Sequence, residues 1–343
     1  MYVQNYKMES SFYKKLDADI VECQLCPHYC KIKSERMGIC NVRLNKEGVL
    51  HSTQWGVIAS ASLDPIEKKP LYHFFPGKMI YSIGGYGCNL KCLFCQNYEI
   101  SQYVPQNVDN LRLIKPNEIV QKAKIHPENI GIAYTYNEPT ISIEYILETA
   151  KIAKNEHLKN VVITNGFINQ EPLSVLLEFI DAFNIDLKAF SDYFYRKFTG
   201  GSIDPVLKSL KTIRKSGKHL EITFLVIPNL NDEYAEAIKM FDWIAKELGD
   251  NTVLHISRYH PAYLLNNPNT PHETLIKFYN LAKEKLKHVY LGNIHYEHIG
   301  SDTICPICNS ILIKREGFFS SVHGLKNDGS CAKCGHGPLI VVN

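Results

Sequence analysis

The stretch "MIYSIGGYGCNLKCLFCQN", residues 79–97, joins an apolar run of strand composition to a loop that carries Cys88, Cys92 and Cys95 in a CxxxCxxC array. The array stops one thiolate short of a closed four-cysteine site. Three thiolates on a short loop suit a [4Fe-4S] cube, because each holds one iron and the fourth iron stays open to a ligand that is not protein. Zinc with one open position is the competing occupant. Catalytic zinc more often recruits His or carboxylates, and the nearest histidine, His73, lies 15 residues upstream.

Outward from this strand, short β-branched runs alternate with longer amphipathic segments, the pattern of repeated βα units around a parallel sheet. The runs after "MIYSIGG" are "IGIAYT" (130–135), "NVVITN" (160–165), "AFNIDL" (182–187), "HLEITFLVI" (219–227) and "TVLHIS" (252–257), with "HVYLGN" (288–293) as a seventh. They are nearly continuous in apolar residues, as strands covered on both faces should be. Between them, Ala235, Ile238, Phe241, Ile244, Ala245 and Leu248 form an apolar stripe at spacings of three and four, and Gly249 supplies a stop. About six units are fewer than the eight of a closed barrel. The expected fold is therefore α/β, an incomplete (β/α)6-type TIM barrel, with an open doubly wound sheet as the alternative.

In either architecture, active residues gather where the strands end. Nearly every run here ends in polar groups: Asn137 and Glu138, Thr164 and Asn165, Asp186 and Lys188, Asn229 and Asn231, Arg258 and His260. With the cysteine loop, they would line a small-molecule site. Singly, each also reads as a turn residue or a helix cap.

Composition narrows the partners. In 343 residues, 38 basic and 35 acidic side chains give a formal charge of +3, too even for a dedicated nucleic-acid binder. No stretch approaches the length of a membrane-spanning helix, and the N-terminus lacks a signal peptide's apolar run, so a cytoplasmic protein is expected. All eleven cysteines fall into three groups, which in a reducing compartment points to metal ligation before disulfides. Cys305, Cys308, Cys331 and Cys334 form two CxxC knuckles, the clamp of a zinc ribbon, here with 22 residues between them. Cys23, Cys26, Cys30 and Cys40 can hold zinc or an auxiliary iron–sulfur cluster, and His28 could replace one of them; "MGICNVR" favours zinc as a compact knuckle. The units expected are residues 1–75, a four-cysteine module and lead-in; 76–299, the core; and 300–343, a zinc-ribbon-like module. In the lead-in, Tyr72, His73, Phe74 and Phe75 read either as a loop anchored by an aromatic stub or as a substrate gate and docking surface at the barrel mouth.

The array Cx3C-x-aromatic-C, with Phe94 before Cys95, resembles the signature of the radical S-adenosylmethionine (SAM) superfamily. The resemblance implies a [4Fe-4S] cluster whose open iron is chelated by SAM, and reductive cleavage of SAM to a 5′-deoxyadenosyl radical. A one-electron donor such as ferredoxin or flavodoxin would supply the electron. "TYNEP" stands where the superfamily carries Gly-Gly-Glu, which implies that Glu138 accepts from the SAM ammonium, with Tyr136 and Asn137 in place of the glycines. "DLK" and "RYH" resemble SAM contacts of pyruvate formate-lyase activating enzymes, implying Asp186, Lys188 and His260 as cofactor contacts beside Phe94, Asn137 and Asn165. Thr223 stands where the resemblance to those activases would place Arg, so Lys188 or Arg258 would have to meet the SAM carboxylate. Over most of the chain, "CQLCPHYC", "LDPIEKKPLYHFFPG", "GCNLKCLFCQNYEIS", "YTYNEPT", "YLGN" and "CPIC…CAKCG" are similar to the radical SAM component of the AmmeMemoRadiSam system. That similarity implies Memo-family and AMMECR1-family partners. A glycyl-radical activase and a metal-binding module without turnover are the alternatives.

Overall fold

The computed structural model describes residues 8–105, 113–294 and 299–342; residues 1–7, part of the leader reading above, lie outside them. An eight-stranded sheet organises the chain. Its strands are β1 (Ser60–Pro65), β2 (Met79–Gly84), β3 (Asn129–Tyr134), β4 (Lys159–Thr164), β5 (Ala182–Asp186), β6 (His219–Val226), β7 (Val253–Arg258) and β8 (Val289–Gly292). Spatial order follows chain order from β1 to β8. β2 to β8 pair in parallel, with registers such as Val161↔Ala182 and Asp186↔Thr223. An order without reversal removes the switch point of a doubly wound sheet. All seven expected strands are present.

Helices α1 (Pro116–Lys124), α2 (Ile143–Asn155), α3 (Gln170–Leu177), α4 (Ile203–Lys215), α5 (Tyr234–Leu248) and α6 (His272–Lys283) return the chain between successive parallel strands. α5 shows why the periodicity was readable. Its buried residues are Ala237, Met240, Phe241, Ile244 and Leu248, one face of a 3.6-residue period, and Gly249 ends it at a φ of 97°. Among the described residues, no helix is long and apolar enough to cross a membrane.

The structure adds one strand to the lead-in and corrects one reading there. Ser60–Pro65 is an edge strand, paired antiparallel to β2 from Ser60↔Gly84 to Pro65↔Met79. The segment Tyr72–Phe75 is not at the mouth: Tyr72, His73 and Phe74 are buried beneath the N-terminal ends of the strands. The cause is Glu221, a fully buried carboxylate near the start of β6. It accepts from the Tyr72 and His73 backbone N–H groups at 3.0 and 2.7 Å, and from His219 and His255 Nε2 at 2.8 and 2.6 Å. A buried charge without such donors is costly, so the lead-in backbone is drawn under the sheet.

The C-terminal segment closes the same end. Its strands Thr303–Ile304, Ile311–Glu316 and Phe319–Val322 form a small antiparallel sheet. From it, buried Arg315 donates to the Tyr72 carbonyl at 2.7 Å and stacks on the Tyr72 ring at 4.2 Å. His73 completes the floor, with Nε2 2.6 Å from Tyr290 Oη and Nδ1 3.0 Å from the Leu339 carbonyl.

The floor sets the acid limit of the fold. Burial alone would push Glu221 up, but its hydrogen bonds from His219 and His255 hold it well below the usual carboxylate range. Burial lowers His73 well below 6.5 and His288 to about 4. The unfolded chain takes up protons at these two imidazoles before the folded chain does, so their effect appears as pH falls through about 6.5. Glu221's contribution is intact above about 4.5 and is lost as pH falls toward its lower folded value. The melting temperature should therefore fall already between pH 7 and 5, and a flat profile there would contradict this assignment. Glu221→Ala should cost about 3–5 kcal/mol in denaturant unfolding, because four donors lose their acceptor.

Candidate functional site

At the opposite end of the sheet, the loop after β2 carries the cysteine triad. Lys91 N–H donates to the Thr199 carbonyl at 2.7 Å and Leu93 N–H to Phe198 at 3.0 Å, which ties the loop to the turn after Phe194. Asn137, from the end of β3, holds its approach: Oδ1 accepts from Gly85 N–H at 3.0 Å, and Nδ2 donates to the Gly87 carbonyl at 3.0 Å. Gly87 has a φ of 82°, and a Cβ there would meet the Cys40 carbonyl at 2.5 Å, so only glycine fits.

Asn165, after β4, donates to Asn89 Oδ1 at 2.9 Å and lies 3.7 Å from Cys88 Sγ; its Oδ1 accepts from Phe167 N–H at 2.9 Å. Asn89 in turn donates to the Phe167 carbonyl at 2.7 Å. A relay of amides thus fixes the residue next to Cys88. Sequence reasoning did not single out Asn89, whose only mark was its place between two cysteines.

Glu138 is buried. Its Oε1 accepts from Thr140 N–H, Thr140 Oγ1 and Thr164 Oγ1 at 3.0, 2.7 and 2.6 Å, and its Oε2 from Asn165 N–H at 2.9 Å. Burial pushes its carboxyl above the usual range despite these donors. Asp186 and Lys188 form an ion pair at 3.0 Å on the Cys92 side, with Lys188 Nζ 5.9 Å from the Phe94 ring centre. Burial works against the Lys188 charge, but Asp186 and Cys92 outweigh it and raise its pKa. His260 lies at the exposed edge, its Nδ1 3.4 Å from Gln96 Nε2.

Other strand-end residues are structural. Asn231 accepts from Ile227 N–H at 2.6 Å and donates to the Lys188 and Leu225 carbonyls, while Asn229 N–H donates to Asp232 in a turn. Arg258 Nε donates to the Thr270 carbonyl at 3.0 Å, and Thr223 Oγ1 to Asn184 Oδ1 at 2.9 Å. A tyrosine group was missed: Tyr98 stacks on Tyr263 at 5.1 Å, and Tyr103 stands edge-on at 6.3 Å to both rings. Their joint presence in "CQNYEISQY" and "RYHPAY" was the available signal.

The triad suits soft-metal ligation. Burial pushes Cys88 well above the ordinary thiol value and Cys92 up to about 12, with Glu138 adding to the first and Lys188 opposing the second. Such thiols hold their protons until a metal displaces them. Beside them stand the Asn165 amide, the Lys188 ammonium and the carboxylates of Glu138 and Asp186, of which Glu138 is tied up by its four hydrogen bonds and Asp186 by Lys188. At the far end, Cys305, Cys308, Cys331 and Cys334 bring all four Sγ atoms within 4.8 Å of one another and could hold a metal ion. Cys23, Cys26, Cys30 and Cys40 line one cavity with His28, whose Nε2 lies 2.7 Å from the Asn89 carbonyl.

Glu138→Gln should leave one of its donors facing an amide N–H₂, costing about 1–3 kcal/mol of stability. Asn165→Ala should loosen Asn89 and slow assembly of the triad's metal group. Unchanged melting of the first variant, or unchanged iron uptake by the second, would contradict these roles.

Residues 82–241 match the Radical SAM superfamily. An uncharacterized protein of Methanocaldococcus jannaschii is 43% identical over 337 residues, spanning 97% of this chain and 99% of its own. The 4-hydroxyphenylacetate decarboxylase activating enzyme of Clostridium scatologenes is 25% identical over 179 residues, spanning 50% of this chain and 57% of its own. Among solved structures, a domain of pyruvate-formate lyase-activating enzyme from Bacteroides vulgatus aligns at 15% identity and a TM-score of 0.43, covering 48% of this chain and 99% of that one.

Proposed function

The chain belongs to the radical SAM superfamily, and from that premise we propose that it cleaves SAM reductively and passes the radical to a substrate delivered by protein partners. The observation that carries this is the convergence of the triad loop with Glu138, Asn165, Asp186 and Lys188 at one end of a parallel sheet, which we read as an incomplete barrel. With the triad holding a [4Fe-4S] cluster, SAM bound there supplies one-electron C–S cleavage to a 5′-deoxyadenosyl radical.

The chain's own residues position and shield. Asn137 and the Asn165–Asn89 relay hold the loop in shape. Three of Glu138's four hydrogen bonds fall on Oε1, so Oε2 keeps a lone pair beyond the bond from Asn165 and can accept from the SAM ammonium. Lys188, paired with Asp186, is the cation for the SAM carboxylate, and the half-exposed Asp186 is the acceptor for ribose hydroxyls. His260 and Phe94 complete the SAM contacts. Arg258 is the weaker choice of cation because its Nε is committed to Thr270.

The motif similarity to the AmmeMemoRadiSam component supports Memo-family and AMMECR1-family partners, with ferredoxin or flavodoxin as donor. The similarity to an activating enzyme favours a second reading, in which the substrate is a glycyl-radical enzyme. We assign zinc to the C-terminal quartet, as a clamp on the floor.

Anaerobic, reduced, reconstituted protein should release 5′-deoxyadenosine from SAM. Cys88→Ala, Cys92→Ala and Cys95→Ala should each abolish it, since an iron loses its anionic ligand. Parental turnover in any of the three would sink the assignment. An intact, reducible cluster that yields no nucleoside would point to a binding module instead. Adding Memo-like and AMMECR1-like proteins should raise turnover above the background without them; stimulation by a glycyl-radical enzyme alone would select the second reading. Chelation of the C-terminal zinc should lower the melting temperature while leaving the iron content unchanged.

A further inference from the structure

The two outlying cysteine quartets differ in geometry. At the C-terminal site, Cys305 and Cys334 Sγ lie 3.6 Å apart, as do Cys308 and Cys331 Sγ. This is the spacing of sulfurs on one tetrahedral ion, for which a Zn–S bond of about 2.3 Å sets sulfurs roughly 3.8 Å apart. Among the described residues, no other group of three or more His, Cys, Asp or Glu has ligand atoms all within 4.8 Å of one another. The N-terminal quartet is fully described, yet it does not close in this way, and neither does the triad.

The N-terminal thiols nevertheless share one space. Cys23, Cys26, Cys30 and Cys40 all line one small cavity, walled by Leu25, Ile32 and Ile141. Arg43 also faces it. This arginine is 1% exposed, its Nη2 is held by Glu144 at 2.8 Å and by the Ile141 carbonyl at 3.2 Å, and its Nε is buried without a partner. A buried guanidinium N–H without an acceptor is costly, and an anionic group in the cavity would supply one.

We propose that Cys23, Cys26, Cys30 and Cys40 bind a second, four-thiolate [4Fe-4S] cluster, with Arg43 as the cation beside it. A cube carries one thiolate on each of four separated irons, so its sulfurs stand farther apart than those on a single ion. The triad, whose own cluster follows from the family, likewise does not bring its three sulfurs within 4.8 Å of one another. The site also backs the triad loop: the Cys40 carbonyl is the atom that excludes a side chain at Gly87, next to Cys88, and Asn89 lines both regions. This inference reverses the zinc preference drawn from "MGICNVR". It stands apart from SAM cleavage, because the N-terminal site can be read with the triad removed.

The test is metal and sulfide analysis of the full chain purified under anoxia. The Cys88→Ala/Cys92→Ala/Cys95→Ala variant should keep about four irons, four sulfides and one zinc, and on reduction should show an electron paramagnetic resonance signal that SAM does not alter. Two zincs with no iron would overturn the proposal. If that variant fails to fold, the unaltered protein decides: about eight irons with one zinc supports the second cluster, and about four irons with two zincs overturns it. In the reverse experiment, Cys26→Ala/Cys30→Ala should lose about four irons and retain its zinc. Loss of one zinc with iron unchanged would likewise overturn the assignment.

Discussion

One buried carboxylate, Glu221, sets the architecture on which the site depends. It is fully buried near the start of β6, and its charge is met by two imidazoles and by two backbone N–H groups nearly 150 residues upstream. Satisfying it draws the lead-in segment across the N-terminal end of the sheet. The C-terminal segment then seals the same end through Arg315 and His73. With that end closed, the strands' other ends are left to form the site.

The polar groups at the open end are mutually committed in a way that orders the cysteine loop. Asn137 spans the turn at Gly85 and Gly87, Asn165 steers Asn89, and Glu138 organises Thr140, Thr164 and Asn165. Each bond is ordinary, but none of these groups is free to reorient without stranding a buried partner. Such a network holds a metal loop in shape before any metal arrives.

The three cysteine groups differ in spacing, which their shared residue type leaves open. The C-terminal sulfurs crowd together and serve the floor, while the triad and the N-terminal quartet stand open on either side of Gly87. The aromatic group of Tyr98, Tyr103 and Tyr263 lies beside the loop, held there by the bond from Leu264 N–H to the Leu93 carbonyl.

Much of the fold was legible because strand and helix periodicity is local: seven parallel strands, the stripe of α5 and its Gly249 stop follow from neighbours a few residues apart. The CxxxCxxC loop was legible for the same reason, since three ligands on eight residues cannot be far apart in space. The tertiary structure alone decided which donors meet a buried charge, and that is a through-space question. It placed Tyr72–Phe75 at the floor rather than at the mouth, one of the two settings its sequence allowed, made Ser60–Pro65 an edge strand, gave Asn231 to a turn and saturated Glu138 Oε1. Cysteine count and sequence spacing picked out three cysteine groups, but that only the C-terminal four bring their sulfurs within 4.8 Å of one another is a through-space fact that exists only after the chain has packed.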